Sequence, residues 1–139
     1  MKVTVNWKHG MSFEGGTEEH TVKVDTTAAG GGSNTGMSPK QLLLVSVCGC
    51  TGMDVADMLE KMRVPFTRLD ISAEAEQTSE HPKVFKYINI TYYTDAGKEN
   101  EDKVKRAVEL SQTKYCGVSI MLKKHCEVNY QIEFYTPIP

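Results

Sequence analysis

The chain has 139 residues and 40% of them are hydrophobic, enough for one domain of ordinary size with a core. Sixteen basic against eighteen acidic side chains leave a net charge of −2, which argues against a protein devoted to nucleic acid or to an anionic membrane surface. Mixed charge and moderate hydrophobicity exclude disorder. Met1 to Gly10 alternates polar and apolar residues and does not read as a signal peptide. The apolar run Leu42 to Cys50 is followed by Asp54 and Asp57 and falls short of a bilayer span. The expected compartment is the cytoplasm. Four cysteines there stay reduced, and any that matter are catalytic or redox-active rather than structural.

The elements follow in chain order. Lys2 to Trp7 alternates Val3, Val5 and Trp7, the pattern of a half-buried strand. Met11 to Glu14 is expected to pair back on it, and His20 to Asp25 supplies a third strand with Val22 and Val24 inward, making a small antiparallel meander. Ala28 to Met37 is Gly-rich but lacks the Gly-Lys-Ser/Thr ending of a phosphate loop, so it reads as a flexible connector. Ser38-Pro39-Lys40-Gln41 is a helix start with a capping box, and the helix is expected to run to about Arg63, because Pro65 cannot continue it. Its first half is apolar nearly all round. A helix apolar on every side is buried on every side, which calls for a surrounding sheet or a second subunit.

Phe66 to Gln77 and Val84 to Thr94 read as two long strands, the second with a change of phase that predicts a bulge. Asn100, with Glu101 and Asp102, opens a helix whose inner face carries Val104, Ala107, Val108, Leu110 and Ser111. Tyr115-Cys116-Gly117 interrupts, Val118 to Lys124 forms a short helix, and Glu127 to Tyr135 is a final strand. The chain is therefore expected to be α+β, a single domain over residues 1–139.

The cysteines divide by position. Cys48 and Cys50 lie two apart on a helix, about 200° around it, so they close neither on a metal ion nor on each other. Cys48 and Cys126 read as small apolar core residues. Helix periodicity alone makes Cys50 core as well, with Asp54 one turn away and Asp57 beyond it. Cys116 opens a helix, where the dipole and free N–H groups favour a thiolate, so the residues by themselves make it the better candidate for a reactive thiol.

Ser38-Pro39-Lys-Gln-Leu-Leu-Leu running into Cys-Gly-Cys50-Thr-Gly-Met-Asp54-Val resembles the central-helix signature of the OsmC/Ohr family, and Tyr115-Cys116-Gly-Val118-Ser119 resembles its second cysteine motif. The 66-residue spacing between them suits that family. His81-Pro82-Lys83-Val84-Phe85 and Ala107-Val108-Glu109-Leu110-Ser111 resemble its YhfA-like branch. The resemblance implies a long central helix wrapped by antiparallel sheets in an intertwined homodimer. It also implies a cysteine-based peroxidase for organic hydroperoxides that uses no metal or cofactor. Cys50 would attack the peroxide and become a sulfenic acid, Cys116 would condense with it to a disulfide, and a dithiol such as a lipoyl group would reduce that bond. Neither nucleic acid nor a membrane is implied as a partner.

The family's peroxidases activate the first cysteine with an arginine from the N-terminal strands, held by a glutamate just after the helix-opening proline. Here Lys40 and Gln41 follow Pro39, and no arginine precedes Arg63. A weaker or altered peroxidase is the resulting expectation. The alternatives are a non-enzymatic small-ligand-binding protein or a redox sensor on the same fold. Tyr115 either caps and packs or reaches a peroxide oxygen.

Overall fold

Residues 1–135 are described by a computed structural model, in which the N-terminal alternation becomes an antiparallel sheet. Its strands are β1 (Thr4–His9), β2 (Ser12–Gly16) and β3 (Thr21–Val24), in that order. Trp7 pairs with Phe13, and its indole N–H donates to the Gly10 carbonyl at 2.9 Å, closing the first turn. The meander is as expected, but its burial is not. Every residue of β1 is exposed, Trp7 at 65% and Val5 at 54%, and Val22 is exposed as well. The alternation encoded a face to be covered, and the described residues leave it open.

The Gly-rich segment is not the loose connector expected. Asp25 is nearly enclosed and gathers it. Its carboxylate accepts the Thr35 hydroxyl at 2.6 Å and the backbone N–H groups of Thr26, Ser33 and Thr35 at 2.7, 3.3 and 3.1 Å. Gly36 allows a close approach, since a Cβ there would lie 2.4 Å from the Lys23 carbonyl oxygen. Met37 can then bridge to Val24 in parallel. These hydrogen bonds, the Thr35 hydroxyl foremost, lower the Asp25 pKa from its ordinary value of 3.8 to about 2. A depressed carboxylate stabilises the fold above its unfolded pKa, and that contribution fades as pH falls from about 4 to 2. Asp25→Asn is therefore expected to be less stable than the parent at pH 7, with the gap closing towards pH 2. Urea unfolding of both proteins across that range checks this, and a pH-independent gap would contradict it.

Helix α1 (Pro39–Lys61) starts as the capping box requires. The Ser38 N–H donates to Gln41 Oε1 at 2.9 Å, and the Gln41 N–H donates back to Ser38 Oγ at 3.3 Å. Arg63, at φ 57°, turns the chain out ahead of Pro65. By length and composition alone α1 is also apolar enough to cross a membrane. Its burial is a stripe, however: Val47, Thr51, Val55 and Leu59, one helical turn apart, have no exposure. Val45 at 52% and Met53 at 77% face outward. An all-round apolar helix has thus found cover on one side only.

From residue 44 onward a second compact unit forms. Its sheet has the order β4 (Leu69–Gln77), β5 (Phe85–Thr94), β6 (Glu127–Phe134). β4 and β5 are antiparallel, and the predicted bulge lies where Glu76 pairs with Tyr87 and Gln77 with Phe85, skipping Lys86. β6 joins β5 in parallel, so this sheet is mixed and the expectation of purely antiparallel sheets is corrected. The intervening segment, α2 (Glu101–Leu110), a π-helical turn (Ser111–Tyr115) and α3 (Gly117–Lys123), supplies the crossover that parallel pairing requires. Asn100 precedes α2 without capping it; its side-chain amide donates to the Ala96 carbonyl instead. Ile88, Ile90 and Tyr92 of β5, Val47, Val55 and Leu59 of α1, and Val104, Ala107 and Val108 of α2 belong to the core cluster.

Candidate active site

Three reactive groups meet inside the second unit. The Cys50 and Cys116 sulfurs and a carboxylate oxygen of Asp54 all lie within 4.8 Å of one another. α1 provides Cys50 and Asp54, which its period places on one face. Gly52 of α1 faces β4 here, and a Cβ on it would come within 2.8 Å of Cδ1, the flexible tip of Ile71. Cys116 arrives through the π-helical turn. Its N–H bonds back to the Ser111 carbonyl at 2.7 Å, five residues earlier, and this wider turn points Ser111, Gln112 and Cys116 all inward.

The two thiols differ. Cys50 is half-buried and Cys116 fully buried. Cys116 does sit at the N-terminus of α3, and its sulfur accepts the Ser119 N–H at 3.3 Å, as the sequence led one to expect. The expected thiolate does not follow. Burial, reinforced by a hydrogen bond to Cys50 and by the charges of Cys50 and Asp54, outweighs that bond and pushes the thiol up to about 12. Cys116 holds its proton at neutral pH. Cys48 and Cys126 pack against the core, half-buried, and burial pushes both thiols up.

A chain of buried polar groups, which sequence reasoning did not find, backs this cluster. Ser111 Oγ donates to Asp54 Oδ2 at 3.0 Å. Thr51 Oγ1 lies 2.7 Å from Ser111 Oγ and 2.6 Å from the Tyr92 hydroxyl. Gln112 Nε2 donates to Tyr92 at 2.7 Å, and its Oε1 accepts Ser119 Oγ at 2.6 Å. Each hydroxyl has one proton. With Ser111 donating to Asp54, Thr51 must donate to Ser111 and Tyr92 to Thr51. Every dipole in the row then points at the Asp54 carboxylate. Burial raises the Tyr92 pKa to about 12, so this phenol keeps its proton for the row. No buried side-chain N or O among the described residues lacks a partner. The available signal was polar residues on otherwise apolar inner faces: Thr51 in the α1 stripe and Tyr92 in the inward register of β5.

An open cleft of about 390 Å³ adjoins the cluster, lined by Asp54, Asp57, Met58, Lys61, Met62, Leu110 and Tyr115. Lys61 is paired with Asp57 at 2.6 Å across one helical turn. Tyr115 is 53% exposed here. Two sulfurs and a carboxylate are raw material for a metal site, but the neighbouring hydroxyls and the Gln112 amide already bond one another. No fourth protein donor completes a tetrahedron among the described residues. Arg68 pairs with Asp70 and Arg106 with Glu109. The side chains that act most on the Cys116 thiol are Cys50 and Asp54, neither of them a cation.

The family model for OsmC-like proteins matches residues 30–131. The curated protein YhfA of Escherichia coli K12 is 29% identical over 134 residues, covering 96% of this chain and 97% of YhfA. A crystal structure of a hypothetical protein from Aquifex aeolicus VF5 matches with a TM-score of 0.82 and 28% identity, covering 97% of both chains. The fold also matches an organic hydroperoxide resistance protein, OsmC, of Legionella pneumophila, with a TM-score of 0.69 and 14% identity, over 96% of this chain and 97% of that one.

Proposed function

The chain belongs to the family of OsmC-like proteins, and on that premise we propose that it is a two-cysteine thiol peroxidase for organic hydroperoxides. The observation that carries this reading is the meeting of two thiols 66 residues apart, one half-buried and one fully buried with its proton retained, in a cluster whose Asp54 lines a cleft. Cys50 attacks the peroxide oxygen, giving Cys50–SOH and an alcohol. The Cys116 thiol then displaces the hydroxyl as water and forms the Cys50–Cys116 disulfide. Sulfurs within 4.8 Å need only a local shift to reach the disulfide length of about 2.05 Å. A dithiol reductant, of the lipoyl type, reopens the bond by exchange. A fully buried thiol is shielded from an incoming peroxide, so Cys116 suits the second role and the half-buried Cys50 the first. Met58, Met62, Leu110 and Tyr115 offer an apolar approach for the organic group.

The uncovered apolar side of α1, with Val45 and Met53, is read as the seat of a second copy, and a native mass of about twice the chain mass checks this. For the chemistry, the reduced protein is treated with one equivalent of cumene hydroperoxide. Four free thiols per chain are expected to fall to two, with peptide mapping joining Cys50 to Cys116. Survival of all four would remove the peroxidase reading and favour a ligand-binding role for the fold.

A further inference from the structure

We infer that Asp54 is the proton carrier of this site, serving Cys50 in the first step and Cys116 in the second; the inference rests on the peroxidase reading. Three observations converge on this carboxylate. It lies within 4.8 Å of both sulfurs, a gap that a single oxygen of a peroxide or of water spans with two hydrogen bonds. It also lines the cleft, so it stands where a substrate enters. It is the terminal acceptor of the row Tyr92–Thr51–Ser111, which fixes the side chain and leaves its second oxygen unused by that row. The nearest cation in the cleft, Lys61, is engaged by Asp57.

The proton balance is simple. In the first step Cys50–SH gives its proton to the Asp54 carboxylate as the sulfur attacks ROOH. The O–O bond breaks, and the carboxylic acid returns the proton to the leaving oxygen. The sum is Cys50–SH + ROOH → Cys50–SOH + ROH. In the second step Cys116–SH gives its proton to the same carboxylate while its sulfur attacks Cys50–SOH. The S–O bond breaks and the proton leaves with the hydroxyl as water. In both steps one negative charge moves between sulfur and carboxylate, so the partly buried site never has to hold a second one. This offers a route to thiol activation without the arginine and glutamate that the family's peroxidases use.

Asp54→Asn tests the inference, because the amide oxygen can still accept from Ser111 while the side chain can no longer carry the proton. Two rates are compared in the full-length protein: Cys50 oxidation by cumene hydroperoxide, which needs the thiol proton removed and then returned to the leaving oxygen, and Cys50 alkylation by iodoacetamide, which needs only the removal. Oxidation is expected to slow by about 100-fold and alkylation by about tenfold. In Asp54→Ala, added formate is expected to restore part of both rates. Unchanged oxidation in Asp54→Asn would overturn the inference. So would a parallel loss of both rates that formate does not relieve, which marks a packing role. If the parent protein itself shows no oxidation, the peroxidase reading fails; if only the variants behave contrary to expectation, Asp54 alone loses its role.

Discussion

Cys50→Ser is expected to lose hydroperoxide turnover by about 10³-fold or more, to the background rate, because a serine hydroxyl at neutral pH is not a competent nucleophile here. The substitution removes little volume from a half-buried position, so folding should survive it. Cys116→Ser should behave differently. It retains the first oxidation, stops after one turnover, and accumulates about one sulfenic acid per chain, trapped by dimedone and counted by mass spectrometry. With excess peroxide that species should climb to the sulfinic acid, since the thiol that would intercept it is gone. The difference between the variants follows from the two environments, one sulfur half-buried and one sealed with its proton in place. Full turnover in Cys50→Ser would sink the assignment of the attacking thiol.

The second large effect concerns the polar row. Gln112 has no exposure and links Tyr92 and Thr51 to Ser119, while Lys123 donates to its carbonyl at 2.5 Å. Gln112→Leu removes the acceptor for Ser119 Oγ and the donor to Tyr92. A buried group left unpaired costs about 1–3 kcal/mol, against a net gain of only about 1 kcal/mol for an ordinary hydrogen bond. Unfolding in urea should show a loss in that range. Gln131→Leu is the control, since Gln131 bonds Thr91 at 3.2 Å on the exposed side of the sheet; it should stay within about 0.5 kcal/mol of the parent. Equal effects in the two variants would show that the buried row adds no stability of its own.

Much of the local structure was legible in the residues. The Ser38–Gln41 capping box formed as written, because both partners are within one turn and need nothing else. The bulge in β5 followed from a change of phase that the pleat cannot absorb. Asn100 misled because a cap competes with any nearby carbonyl, and Ala96 supplied one. The Gly-rich segment misled because its organiser, Asp25, precedes it and looked like the end of a strand. Cys116 misled more instructively. A helix N-terminus does favour a thiolate, but that is a single hydrogen bond, and complete burial outweighs it.

The sequence by itself determined the periodic elements, the helix start, the α+β class and the two cysteine motifs, since each depends on spacing within a few residues. Only the tertiary structure could decide that Cys50, Asp54 and Cys116 share one point, or that Thr51, Tyr92, Ser111 and Gln112 aim their dipoles at it. Cys50 and Asp54 apart, which one helical turn already aligns, those relations join residues 20 to 66 positions apart. They are set by helix packing and by a π-helical turn, and no local pattern encodes them.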